Sequence, residues 1–254
     1  MKPVKNNDKS NKIKAGDILK TKQGYDALVI EYIDCKNVII EFQDEHKHRM
    51  RTQAGHLKRG IVKNPYHPSI FDIGFLGSGK WKSNEGIKPT PEYKCWVNML
   101  KRAYYEKYHT IRPTYIGVKV CKGWHNFQNF AEWYNNQPNS NRQGFALDKD
   151  LKNPCSREYN PENCTFVPQA VNSLFTNSDH TNSSGMPTGV SIDKKKYKAT
   201  VSIDSRRVYI GNYDTPEEAH EAYRKEKRKE VKRIAEQYKD DLDHQVYRNL
   251  MEWE

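Results

Sequence analysis

Four residues near the C-terminus, Thr215-Pro216-Glu217-Glu218, constrain the fold more than any other stretch of this chain. Thr215 is a helix N-cap, Pro216 suits the first helical position, and Glu217 and Glu218 match the positive end of the helix dipole. Glu218, three residues after Thr215, completes a capping box. The spacing predicts a helix that buries Ala219, Ala222 and Tyr223. Three β-rich stretches precede it: Gly189-Val190-Ser191-Ile192, Tyr197-Lys198-Ala199-Thr200-Val201 and Val208-Tyr209-Ile210-Gly211. Turns at Lys194-Lys195 and Asp204-Ser205 separate them, so a three-stranded sheet backed by one helix is expected. The run YRKEKRKEVKRIAEQYKDD from Tyr223 onward is helical with dense mixed charge and reads as a solvated face. Leu242, Val246, Leu250 and Trp253 make a last apolar stripe, able to dock on the preceding helix or to support a homodimer.

A second organised stretch runs from Phe145 to Phe175. An apolar run ends in Asp148-Lys149-Asp150, a polar loop follows, and Cys164-Thr165-Phe166-Val167 forms a second apolar run closed by Pro168. Val171, Leu174 and Phe175 then recur at helical spacing. Strand, loop, strand, helix is the order this predicts. It can gather Asp148, Asn163 and Asn172, three oxygen-bearing side chains suited to a hard cation such as Mg²⁺ or Mn²⁺. The same Asp and Asn residues are also ordinary turn formers.

The rest of the chain divides around these two stretches. Residues 1–14 read as a disordered basic leader. Between 15 and 80, Ile18-Leu19, Ala27 to Ile33 and Asn37 to Phe42 predict short strands, with a tight hairpin at Asp34 to Lys36 and a turn at Gln23-Gly24-Tyr25. Such a module suggests a small SH3-like β barrel, its end crowded with cations that include Lys58 and Arg59. That module can serve as an accessory nucleic-acid contact or as a surface for a host protein. Gly74 to Lys80 lacks the full spacing of a phosphate loop, and Trp81 stands where a Ser or Thr would hold Mg²⁺, so it reads as a glycine-rich turn. Residues 81–91 read as a linker. A helix is expected from Glu92, with Trp96, Met99, Leu100 and Ala103 on one face and Lys94, Lys101 and Arg102 on another. Tyr115 to Val120 reads as a short strand, and Trp124, Phe127, Phe130 and Trp133 as the core stripe of a second helix. These helices would complete a central domain over 92–176, since a strand–strand–helix unit alone is too small for a stable core. A second linker, 177–187, leads to a C-terminal domain over 188–254.

Net charge decides the class of partner. The chain has 254 residues and a formal charge of +11, with sixteen Tyr interleaved among Lys, Arg and Asn, which favours double-stranded nucleic acid over a neutral partner. Five cysteines, with no CxxC pair, argue against a disulfide framework and against a zinc finger. Cys155, Cys164 and His180 are the alternative metal set, without the usual ligand spacing. With no signal peptide and no long apolar span, a cytoplasmic protein with no membrane partner is expected.

Two resemblances sharpen this reading. Leu147-Asp148-Lys149-Asp150 followed by Pro161-Glu162-Asn163-Cys164 and Phe166 resembles the HNH (ββα-metal) endonuclease family in its phage form. Val120, Cys121, Trp124 and Phe127 match the segment that precedes that core. The resemblance implies that Asp148 and Asn163, with Asn172 as a further ligand, hold a divalent ion against the scissile phosphate. Where the family has a His as general base, this chain has Lys149, which when protonated takes no proton from water. His125 is the nearest upstream imidazole and the alternative base, while Lys149 is then a cation for phosphate. Gly189-Val190, Tyr197-x-Ala199, Ile210-Gly211-x-Tyr213-Asp214-Thr215 and the helix after them resemble the AP2/ERF (integrase-type) DNA-binding domain. There the sheet lies in the major groove. By position Lys194, Lys196, Tyr197, Lys198, Arg206, Arg207 and Tyr209 would make the contacts. Lysines hold most of these places, so strong phosphate binding with modest sequence preference is expected.

Taken together, the residues and resemblances imply an α+β, multidomain, sequence-tolerant DNA-binding protein that acts as a metal-dependent homing or nicking endonuclease. A nuclease-derived regulator or anti-defence protein that no longer cuts, or an inhibitor of a host protein, are the alternatives.

Overall fold

A computed structural model describes residues 12–175, 185–204 and 206–254. Most of the basic leader, most of the second linker with His180, and Ser205 lie outside the described residues. The fold is mixed α+β with several small sheets, in two compact units. The first holds the chain up to Lys80 together with Asn126–Gln128, and the second holds the remainder.

In the first unit, β1 (Ile18–Lys20), β2 (Asp26–Asp34), β3 (Asn37–Phe42) and β4 (Arg49–Thr52) form an antiparallel sheet in chain order. Strand β3 shows why: Val38, Ile40 and Phe42 alternate inward with period two. The β2–β3 hairpin is set by Asp34, whose carboxylate accepts the N–H groups of Lys36 and Asn37 at 2.7 and 2.9 Å. Helix α1 (Ala54–Lys58) adds Ala54 and Leu57 to this core. His46 stacks on Tyr66 at 4.1 Å, and Phe75 packs against both rings. The glycine-rich turn therefore carries an aromatic anchor.

The second unit starts with a two-residue hairpin, β5 (Asn84–Glu85) and β6 (Lys88–Pro89), inside the stretch that composition marks as linker. Gly86, with φ +61°, supplies its turn. Helix α2 (Pro91–Tyr104) is capped by Thr90 and buries Trp96, Met99, Leu100 and Ala103, the face its periodicity predicts. Helix α3 (Glu106–Ile111) and a 3₁₀ turn, Pro113–Tyr115, come next. Only two residues of the expected Tyr115–Val120 strand are extended, β7 (Lys119–Val120), because Pro113 and the left-handed Gly117 turn the chain just before them. Trp124 lies on a 3₁₀ turn ahead of α4 (Phe127–Asn135), not on the helix itself. It still meets Phe130 and Trp133, with ring centroids 5.1 and 4.5 Å away.

Strand β8 (Phe145–Asp148) pairs with β10 (Thr165–Pro168) antiparallel, with Asp148 opposite Thr165 and Phe145 opposite Pro168. Between them β9 (Glu158–Tyr159) pairs in parallel with β7. Trp133 and Tyr134 cover Phe166 of β10, and helix α5 (Gln169–Asn172) follows directly.

Strands β11 (Val190–Asp193), β12 (Lys196–Ile203) and β13 (Arg206–Tyr213) make the three-stranded antiparallel sheet, followed by the long helix α6 (Pro216–Gln237). The Thr215 capping box forms as the sequence predicts. Gly189 has φ +83°, and a Cβ there would lie 2.2 Å from the Tyr223 ring, so only glycine lets α6 approach β11 this closely. The charged run from Tyr223 is not solvated all round. Val231, Ile234 and Ala235 are buried, and so are the side chains of Lys227 and Glu230, the latter paired with Arg233 at 2.7 Å. Helix α7 (His244–Met251) docks on α6 through Val246 and Leu250. The same core contains Leu151, Val167 and Val171, so α6 packs its first turns on the sheet and its last turns on the β8–β10–α5 segment. No described helix is long and apolar enough to cross a membrane.

Candidate nucleic-acid interface and metal site

Register sorts the residues of the three-stranded sheet into two faces. Val190, Tyr197, Ala199, Ile210 and Tyr213 join Ala219 of α6 in one cluster, which defines the covered face. Alternation then turns Lys196, Lys198, Thr200 and Ser202 of β12 to the opposite face. Cross-strand pairing brings Asn212, Tyr209 and Arg207 beside Lys198, Thr200 and Ser202. A bulge between Ala199 and Thr200 keeps that face in step, and the Lys198 ammonium lies 5.6 Å from the centre of the Tyr209 ring. The open face is a plane of cations, hydroxyls, one amide and one aromatic ring. An exposed ion pair joins Lys196 to Asp214 at 3.0 Å, a contact of little stability that a phosphate can displace.

Of the residues expected to contact DNA, Lys196, Lys198, Arg207 and Tyr209 share this open face. Tyr197 does not: it packs in the covered cluster, because it lies one residue out of phase. Arg206 pairs with Ile203, also on the helix side of the register, at the open end of the sheet. Lys194 holds the β11–β12 turn with φ +58° and borders a shallow depression with Asp193, Lys195, Lys196 and Asn212. Thr200 and Ser202 escaped the sequence reading, although alternation from Lys198 points to them; Asn212 follows only from the cross-strand register. Lys58 and Arg59 lie exposed at the end of α1 in the first unit, where Arg59 Nε donates to the Gly55 carbonyl at 3.2 Å.

The second constellation lies at the end of β8. Asp148 Oδ1 accepts the N–H groups of Asp150 and Leu151, both at 2.8 Å, which folds the chain tightly after the strand. Its carboxyl is held above the usual carboxylate range, first by burial and then by the neighbouring Asp150, against the pull of those two N–H groups. Asn163 lies two residues before Thr165, so the β8–β10 register brings it to the same end of the sheet as Asp148. Its amide nitrogen donates to Ser156 Oγ at 2.6 Å and to the Glu158 carbonyl at 3.2 Å. Those bonds fix the amide and leave Oδ1 with one long contact, from Asn153 at 3.5 Å. Asn172 closes α5.

This donor set fits a hard cation. Asp148 has a second oxygen with no hydrogen bond among the described residues, Asn163 Oδ1 is nearly free, and the desolvated carboxylate forms no ion pair among the described residues, Lys149 being paired with Asp150. No group of three or more His, Cys, Asp or Glu among the described residues could hold a metal. Cys164 is buried and Cys155 exposed.

Neither candidate base is poised at Asp148. Lys149 is only 6% exposed, and its ammonium is ion-paired with Asp150, bonded to the Ser156 carbonyl at 3.4 Å and set 5.8 Å from the Tyr159 ring. It serves as an internal brace of the loop and not as an open contact for phosphate, since β8 alternation turns it inward. The His125 ring engages the Val120 carbonyl at 3.1 Å and the Tyr104 hydroxyl at 3.2 Å. Burial lowers its pKa, with the Val120 carbonyl acting the other way, so the ring is neutral at physiological pH.

One neighbour of this end escaped the sequence reading. Tyr115 is close enough to Arg102, Asp150 and Asp148 for all three to act on its hydroxyl, which burial holds above its ordinary pKa. Arg102 reads on the helical wheel as part of a charged flank, and nothing local in the sequence marks it otherwise. No family model, no curated protein and no solved structure matches the chain.

Proposed function

We propose that this chain binds double-stranded DNA through the open face of its three-stranded sheet and hydrolyses a phosphodiester at the end of β8, as a metal-dependent endonuclease of the HNH type. The observation that carries the reading is the sorting of the sheet. Lys196, Lys198, Arg207, Tyr209 and Asn212 fall on the one face that α6 leaves uncovered. Such a surface follows phosphates by charge and reaches base edges with an amide and hydroxyls. Few of its groups are bidentate, so sequence preference is modest. In this reading the three-stranded sheet with α6 is AP2-like, β8, β10 and α5 form the ββα-metal unit, and the first unit is an SH3-like barrel.

At the second site Asp148 and Asn163, with Asn172, would hold Mg²⁺ or Mn²⁺. When bound, the ion would polarise the phosphodiester and stabilise the leaving oxygen. The chain's own residues set the donors: the N–H groups of Asp150 and Leu151 aim the Asp148 carboxylate, while Ser156 and Glu158 orient the Asn163 amide.

A second reading has its own observation. Lys149 is buried in a loop brace and His125 is tied to Val120 and Tyr104, so no base stands ready beside Asp148. That arrangement suits a nuclease-derived DNA-binding protein that no longer cuts. Relaxation of a supercoiled plasmid with Mg²⁺ or Mn²⁺ separates the two, using wild type, Asp148→Ala and Asn163→Ala. Metal-dependent nicking lost in both variants is the expected result. Salt-sensitive DNA binding in all three proteins without any cutting would replace the enzyme with the non-cutting protein.

A further inference from the structure

We propose that Arg102, backed by Tyr115 and Tyr159, is an oxyanion clamp that takes a non-bridging phosphate oxygen beside Asp148; this rests on the endonuclease reading above. Arg102 projects from the last turns of α2 into the second unit. Its guanidinium lies 5.9 Å from the centre of the Tyr115 ring, and the Tyr159 hydroxyl favours its charged form. It forms no ion pair among the described residues. With Asn98, Tyr134 and Ser140 it lines a cavity of about 200 Å³ that reaches Leu147, the residue before Asp148.

A half-buried cation without an acid partner is costly to keep. Tyrosine faces and hydroxyls stabilise such a charge without neutralising it. The missing partner is an anion supplied from outside, and a planar five-donor fork is matched to the paired oxygens of a phosphate. Arg102 lies over the Tyr115 ring, Asp148 and Asp150 act on the Tyr115 hydroxyl, and the cavity beside Arg102 is lined by Phe145, Ala146 and Leu147 of β8, the strand that ends at Asp148. Arg102 would contribute fixed positive charge opposite the ion, where negative charge grows on the phosphate.

The test uses the full-length protein. Plasmid nicking in Mg²⁺ is compared between wild type and Arg102→Lys, which keeps the charge and loses the fork, with thermal unfolding as a control. In parallel, the Arg102 Nε–H resonance of metal-free wild type is followed while a 20-base-pair duplex, or inorganic phosphate, is added. A fall in the nicking rate of about 100-fold, as for loss of one oxyanion donor, with little change in melting temperature, is expected. The Nε–H resonance should move with duplex. Movement with inorganic phosphate as well would make free phosphate an equal ligand, and movement with duplex alone assigns the site to the DNA backbone. Wild-type nicking unchanged in Arg102→Lys overturns the clamp while leaving the endonuclease standing. Resonance movement with duplex in a protein that cuts nothing does the reverse: the phosphate site holds and the endonuclease falls. A resonance that ignores duplex removes the clamp whatever the nicking shows, and because it is read on wild type it does not depend on how the variant folds.

Discussion

The three-stranded sheet and the β8–β10–α5 segment rest on the same helix, yet they are built in opposite ways. In the sheet, only two residues separate neighbouring strands, and each side chain's facing follows from its place in the alternation. In the other segment, sixteen residues separate β8 from β10, and the site is held by side chains that bond across this loop: Ser156 to Asn163, Lys149 to Asp150, Asp148 to the backbone after it. A surface made by repetition tolerates the loss of any one member. A site made by a folded loop depends on each. The first is suited to gripping a polyanion and the second to placing a few atoms.

Four measurements press on that contrast. The largest effect should come from the core that joins the two regions: Leu250→Ala is expected to cost about 2–5 kcal/mol in urea unfolding, since Leu250 is nearly inaccessible among Val231, Ile234 and Val171. Fluorescence and circular dichroism should shift together, and a shift in only one would mean that the two regions unfold separately. Thr215→Ala removes the capping box and should cost about 1 kcal/mol, restored in part by Thr215→Ser. Next, Lys198→Ala should weaken binding to all duplexes alike and lower the salt slope by about one. Arg206→Ala, on the helix side of the register, should change it less. Equal losses from both would break the assignment of faces.

The smallest effect concerns Asp148 and has a definite sign. Burial holds its folded pKa above the ordinary 3.8, so folding favours the protonated acid. Its contribution to stability is complete below the unfolded pKa and is lost as pH rises through the folded one. Asp148→Asn keeps an oxygen for the N–H groups of Asp150 and Leu151 and removes this loss. Without divalent ions the variant should melt slightly above wild type at pH 7 and level with it near pH 3. Added Mg²⁺ should raise the melting temperature of wild type alone. A variant that melts lower at pH 7, or that gains equally from Mg²⁺, would count against a strained cation site.

What could be read from the chain follows the same divide. Thr215, Pro216, Glu217 and Glu218 act within one turn, and Val190, Ala199 and Val201 within a two-residue period, so helix and sheet were visible in order. Tyr197 falls on the covered face because phase, and not aromatic character, decides which side of the sheet a residue takes. Val231, Ile234, Ala235 and Tyr238 do recur at helical spacing, but Lys and Arg around them hid the stripe, and its partners Leu151 and Val167 lie far away in sequence. Burial of Lys149 had no local signal, since a lysine is buried only when it is paired, and its contacts with the Ser156 carbonyl and the Tyr159 ring come from further along the loop. Arg102 was missed for the same reason: its setting is made by Tyr115 and Tyr159, and these come from two other segments.

The capped helix has one more consequence. Its 22 residues run unbroken from the sheet to the core beneath Val171 and span about 33 Å. That is close to one turn of B-form DNA, roughly 34 Å. On the proposed reading, helix α6 would work as a ruler. In the proposed complex it would fix how far along a duplex, and at what angle around it, the loop at Asp148 stands from a strand held at Lys198. One residue inserted at its middle would advance the far end by about 1.5 Å but swing it by about 100°, a change in facing far greater than the change in reach.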